Sequence, residues 1–130
     1  MQGTEIVERM TRAMTEHDLD ALVECYTEDF RSELPIHPQR SFVGREHVRA
    51  NWKGLFAHVP DLVAVALQSV PDGEQVWSEW EISGTTIDGE RYLSRGVAIL
   101  GLRDGRVAST RFYLDNVDSP QPDEATAAAT

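Results

Sequence analysis

Acid–base chemistry needs a group that can hold or release a proton inside an enclosed, water-poor space, and two side chains of this 130-residue chain are placed for it, Asp115 and His37. Asp115 closes the last strand-like stretch. Counting back in twos, Tyr113 and Arg111 share its face, at roughly 7 Å and 13 Å for the usual strand rise. Arg111 is then too far to neutralise Asp115, so desolvation is expected to raise the carboxyl pKa toward neutrality. His37 stands between Pro35 and Pro38, where an irregular segment can overhang a cavity mouth as a second acid or base. Other chemistries find no footing. His, Asp and Glu show no metal-ligand spacing, there is no glycine-rich phosphate loop or nucleophile elbow, and Ser78 and Ser94 have no evident base. No metal and no cofactor is expected. His17, His47 and His58 read as ordinary loop or helix-surface residues.

These groups must be positioned by a β-meander over residues 62–115, punctuated by Asp72-Gly73, Asp88-Gly89 and Asp104-Gly105. Asp-Gly suits tight hairpin loops, because Gly takes positive φ without a Cβ clash and Asp tolerates the left-handed region. Upstream, Ile6, Met10 and Met14 recur every four residues and predict a first helix. Asp18 can cap a second, with Leu19, Leu22, Val23 and Tyr26 on one face. A short strand follows near 30–34. A third helix opens after Gly44, with Val48, Trp52, Leu55 and Phe56 on one face, and Pro60 stops it. Helices in the first half and strands in the second describe an α+β domain over residues 1–117, with three helices packed on the concave face of a curved antiparallel sheet. Residues 118–130, rich in small and polar types, are expected to be a disordered tail.

Composition narrows the partners. The net charge of −10 repels nucleic acid and anionic lipid. No stretch is long and apolar enough for a membrane span, and a single cysteine, Cys25, excludes an internal disulfide. The expectation is a cytoplasmic protein without nucleic-acid or membrane partners.

Strand alternation turns Val76, Ser78, Trp80 and Ile82 inward. A bulged loop at Asp88-Gly89 would set Trp80 opposite Ala98 and turn Tyr92, Ser94 and Gly96 inward, with Arg91 and Arg95 outside near Glu79 and Glu81. A two-residue turn at Asp104-Gly105 would pair Asp115 with Ser94 and bring Arg111 and Tyr113 inside. Gly96 and Ala98 would leave room there. Tyr26, Trp52, Phe56 and Trp80 complete an apolar cavity suited to a small hydrophobic molecule. The convex face would keep Trp77, Leu93, Val97, Ile99, Phe112 and Leu114 exposed, so a homodimer through that face is expected.

The chain resembles the SnoaL-like family of the nuclear transport factor 2-like superfamily. The likeness rests on His17-Asp18-Leu19-Asp20-Ala21-Leu22 leading to Tyr26, Gly44-Arg45-Glu46-His47-Val48-Arg49, Pro60-Asp61-Leu62, the run from Trp80 to Gly84-Thr85, Asp104-Gly105-Arg106-Val107 and Arg111-Phe112-Tyr113-Leu114-Asp115. It implies a cone of curved sheet closed by helices. Ketosteroid isomerase chemistry would need a base, a tyrosine and a protonated aspartate where this chain has Leu34, Met10 and Ala98. The Asp-Arg-Asp set of limonene epoxide hydrolase-like enzymes corresponds to Trp80, Ile82 and Asp115, so only its last member is kept. Asp115 is also the best match to the acidic residue of the polyketide cyclases. Two classes stay open: an acid–base enzyme of hydrolase, isomerase or cyclase type using Asp115, and a non-catalytic binding or dimerisation module.

Overall fold

The fourfold recurrence of Ile6, Met10 and Met14 produces one amphipathic helix, α1 (Gln2–Glu16), in the computed structural model, which describes residues 2–118. Its apolar stripe is fully buried. The helix ends at His17, which takes φ 57° while its amide reaches the Met14 carbonyl and that of Asp18 reaches Ala13. This is the Schellman arrangement, with histidine where glycine is usual. The side chain is fastened there: His17 Nε2 lies 3.1 Å from the Leu62 carbonyl oxygen, and the ring stacks on Phe56 at 4.4 Å.

Asp18 caps α2 (Leu19–Glu24) by accepting from the Ala21 amide at 3.1 Å. The helix is shorter than its apolar spacing predicts. Cys25 is its C-cap, and Tyr26 opens β1 (Tyr26–Glu33) by pairing with Val107. Local periodicity carries Tyr26 into the helix; a long-range strand partner takes it out, because β pairing depends on neighbours that spacing does not show. A 3-10 turn (Pro38–Arg40) and β2 (Phe42–Val43) lead to α3 (Arg45–His58), and the chain continues through β3 (Val63–Asp72), β4 (Gln75–Thr85), β5 (Arg91–Arg103), β6 (Arg106–Phe112) and β7 (Asp115–Asn116).

The seven strands form one curved, unclosed sheet in the order β2-β1-β6-β5-β4-β3, with β7 also on β5. All pairs are antiparallel except β1 with β6. The core lies between helices and sheet: Ile6, Met10, Leu22, Phe30, Val76, Trp80, Leu100 and Val107 are all buried there. Each such side chain contributes roughly 1.5–3 kcal/mol relative to exposure. The expected disordered tail lies outside the described residues apart from Asp118. No helix among the described residues is long and apolar enough to cross a membrane.

Three register details decide which side chains reach the concave face. First, β4 and β5 are joined by five residues, 86–90, so Trp80 sits opposite Gly96 and not Ala98. The loop is held wide by the Thr86 amide on the Glu90 carbonyl and by the Ile87 amide on the His58 carbonyl at the end of α3. The shift is by two residues, so inner and outer faces are unchanged, and Arg95 meets Glu81 outside at 2.9 Å. Second, Asp104 and Gly105 both take positive φ and join Arg103 to Arg106 in a two-residue turn, but β6 carries one extra residue at Ala108. From Ser109 onward every side chain therefore changes face. Thr110, Phe112 and Leu114 turn inward, whereas Arg111 lies opposite Ile99 on the outside. The expectations that Phe112 and Leu114 are exposed and that Arg111 and Tyr113 line the inside fail for this reason. Third, Gly96 makes no room for a ligand. At φ 151° it lets the backbone of Tyr113 and Leu114 lie against β5, ending β6 and starting β7.

Candidate functional site

Between α1, α3 and the concave sheet is a cavity of about 640 Å³. Its closed part is apolar: Met10 and Met14 come from α1, Phe30 from β1, Val48, Trp52 and Leu55 from α3, Trp80 and Ile82 from β4, Ala98 and Leu100 from β5, and Phe112 from β6. The indole of Trp80 presents no polar group to it. Its Nε1–H donates to Ser78 Oγ at 2.7 Å, and Ser78 donates to the Ala98 carbonyl at 2.8 Å.

Tyr26, Trp52, Trp80, Tyr92, Ser94 and Asp115, all singled out in the sequence, line this cavity. Phe56 does not; it packs between His17 and Trp52, whose ring centroid is 5.5 Å away. Arg111 and Tyr113 are not among the lining residues either. Arg111 donates to Glu33 at 2.6 Å and to the Tyr113 hydroxyl at 3.1 Å on the outer side.

The open end is polar. Residues 34–41 form a strap between β1 and β2, of which Leu34, Gln39, Arg40 and Ser41 line this end and His37 does not, held by the Leu34 amide on Ser41 Oγ (3.0 Å), the His37 amide on the Leu34 carbonyl (3.0 Å) and the Arg40 amide on the His37 carbonyl (2.8 Å). Proline at 35 and 38 restricts the strap to extended and turn geometry. His37 projects from it to β7, and its Nε2 lies 2.6 Å from Asp115 Oδ2. Asp115 Oδ1 accepts the Asn116 amide at 2.8 Å, and the Asp115 carbonyl accepts Ser94 Oγ at 3.1 Å. Asp115 pairs with Arg95, not Ser94, because of the extra residue in β6; Asn116 takes the place opposite Ser94.

The expected rise in the Asp115 pKa is reversed. The His37 hydrogen bond above all, then the Asn116 amide and the charges of His37 and Arg40, hold the carboxyl below its ordinary value despite some desolvation. The partner of Asp115 comes not from its own strand but from a loop 78 residues away in sequence. Tyr92 lies close enough for burial first, and the Asp115 charge second, to raise its hydroxyl pKa. Arg40, Gln39, Ser41, His47, Asn51 and Asn116 complete the rim. His47 stacks on Phe42 at 4.2 Å and faces the cavity mouth, where a plain surface residue was expected.

Of the other lining residues, Met10 and Met14 follow from the fourfold spacing of α1, and Phe30 and Ser32 from strand alternation in β1. Thr110 and Phe112 were hidden by the bulge. Gln39, Arg40 and Ser41 lie in the proline segment, which carries no periodicity to follow.

At the closed end, Tyr26 is 5% exposed. Its ring meets Phe30 edge-on at 4.7 Å. Burial raises its hydroxyl pKa well above the usual value, so the group stays a neutral donor. Thr110 Oγ1 donates to Ser32 Oγ at 3.1 Å in the same inner layer.

Residues 7–110 match the family model of the SnoaL-like domain. No curated protein matches the sequence. Solved structures repeat the architecture. A candidate isomerase from Bacillus subtilis superposes with a TM-score of 0.77 at 21% identity, covering 88% of this chain and 86% of its own. A candidate SnoaL-like polyketide cyclase from Jannaschia sp. CCS1 gives 0.73 at 24%, covering 88% and 85%. A protein with a ketosteroid isomerase-like fold from Catenulispora acidiphila, solved in complex with trimethylamine, gives 0.72 at 17%, covering 88% and 85%. At such identities the likeness is one of fold. An α+β cone closed by helices, matched by the family over nearly the whole described sheet, leaves one assignment: the chain belongs to the SnoaL-like domain family.

Proposed function

We propose that the cavity binds a small, largely apolar molecule and that Asp115, partnered by His37, performs acid–base chemistry on it of the isomerase or cyclase type. The observation that carries this is the carboxylate at the cavity rim with His37 Nε2 at 2.6 Å. One hydrogen bond to each oxygen leaves further lone pairs on both for a proton of the ligand. A proton taken by Asp115 can be shared across the short contact with His37, which is 34% exposed and can pass it to water. The apolar walls hold the substrate and exclude water from the reacting bond. The candidate isomerase and cyclase among the structural neighbours support the reaction class.

The test uses thermal shift of wild type and Asp115→Asn against terpenoids, steroids, polyketides and epoxides, followed by deuterium exchange from D₂O into carbon acids among the binders. Binding by both proteins with exchange only by wild type is expected. Exchange that survives in Asp115→Asn overturns the acid–base role.

A second reading, binding without catalysis, is favoured by the lowered Asp115 pKa, which makes the carboxylate a weaker base than an isolated one. Binding without exchange by either protein selects it. In both readings we take the partner of the outer sheet face to be a second copy of the chain. Val63, Val65, Val70 and Trp77 are exposed there beside the partly buried Leu93, Val97 and Ile99, and the strands opposite one another continue the patch across β3, β4 and β5.

A further inference from the structure

We infer that Tyr26 is the specificity-determining hydrogen-bond donor of the cavity, recognising a neutral acceptor oxygen, such as a ketone or amide carbonyl, at the buried end of the ligand. This rests on the small-molecule reading of the same cavity and adds which end of the molecule enters first. Tyr26 opens β1, while the strap carrying His37 follows the other end of that strand. Across the irregular register of β1, Tyr26 lies beside Val107 and Glu33 beside Arg111, four residues on along β6, which is roughly 13 Å at the usual rise. One cavity touches both ends, so a ligand reaching Asp115 with one end can present its other end to Tyr26.

A buried phenol without a partner needs a reason. The other buried inner hydroxyls have one, Thr110 with Ser32, Ser78 with Ala98 and Ser94 with Asp115, whereas Tyr92, which also makes no hydrogen bond through its hydroxyl among the described residues, is only partly buried. Tyr26 Oη makes no hydrogen bond among the described residues. No sealed side-chain polar atom among those residues lacks a partner, so this hydroxyl is not sealed. The side chain is 5% exposed and lines the cavity, and we take that cavity to be the space its hydroxyl opens on. A phenol that stays protonated has an O–H to give, so it selects acceptors. A pure hydrocarbon would leave that donor desolvated and unmatched.

The probes are 2-acetonaphthone and 2-ethylnaphthalene, alike in shape and differing in the carbonyl. Their Kd values are measured by equilibrium dialysis on the full chain, wild type and Tyr26→Phe. Tyr26→Phe should weaken the ketone about 5- to 10-fold, as loss of one buried hydrogen bond does, and leave the hydrocarbon within about twofold. The carbonyl stretch of the bound ¹³C-labelled ketone should fall to lower frequency in wild type and return in Tyr26→Phe. Equal effects on both probes overturn the inference while leaving the small-molecule reading intact. Failure of the ketone alone to bind wild type overturns the inference, and failure of both probes overturns the small-molecule reading with it. Should Tyr26→Phe not fold, the infrared measurement on wild type still decides: a stretch equal to that in alkane solvent refutes the hydrogen bond.

Discussion

Replacing Gly96 by alanine tests whether the end of β6, and with it Asp115, is placed by close backbone approach. A Cβ at Gly96 would stand 2.5 Å from the Tyr113 carbonyl oxygen and 2.7 Å from Leu114 Cα. Reaching an ordinary 3.4 Å contact with that oxygen requires the segments to part by about 0.9 Å, and both clashing atoms are backbone, so no rotamer change relieves them. The residue also holds φ 151°, which costs a non-glycine residue about 1–3 kcal/mol. Overpacking adds about 1–3 kcal/mol, so a loss of about 3 kcal/mol is expected, or about 10 °C in Tm for a chain of this size. Urea denaturation gives the loss directly. Gly54→Ala is the control: it lies within α3 with open space around its Cβ position and should gain about 0.5–1 kcal/mol. The shift should also reach the site, since Leu114 adjoins Asp115; NMR should show the His37 and Asp115 resonances moving together. Gly96→Ala within about 0.5 kcal/mol of wild type, with those resonances unmoved, would refute the reasoning.

Ser78→Ala should cost about 1–3 kcal/mol by chemical denaturation, because it strands the buried Trp80 Nε1–H and the Ala98 carbonyl together; a neutral result would mean water replaces the hydroxyl. The Asp115 carboxyl is depressed in the folded chain, so its contribution to stability is present above the unfolded carboxyl pKa and is lost as pH falls through the lower folded value. In a carbon-detected NMR titration Asp115 should titrate below a model carboxyl and return toward it in His37→Gln; an Asp115 indifferent to that substitution removes the His37 contact as the cause. Trp77→Glu places a charge between Val70 and Ile99 on the outer face and should yield a monomer by light scattering at micromolar concentration, where wild type gives a dimer; a monomeric wild type would refute the homodimer.

The helices and the meander were legible in the sequence because their signals are local. Fourfold apolar spacing made α1, Asp18 capped α2, and the alternation of Val76, Ser78, Trp80 and Ile82 set one face of β4. The likeness to the SnoaL-like family was legible for the same reason, since its motifs sit at turns and helix starts. Residues named singly for the cavity, such as Trp52, Trp80 and Tyr92, followed from those faces. What the tertiary structure alone decided depends on single-residue register and on partners far apart in the chain. One extra residue at Ala108 exchanged Arg111 and Tyr113 for Thr110 and Phe112 on the inner wall, and no propensity marks a bulge made of ordinary residues. Tyr26 left its helix for a strand whose partner, Val107, lies 81 residues on. The largest reversal is electrostatic: Asp115 was expected to be alone and is held by His37. A charge responds to its neighbours in space, and a strap pinned by its own backbone hydrogen bonds brought that neighbour across 78 residues of chain.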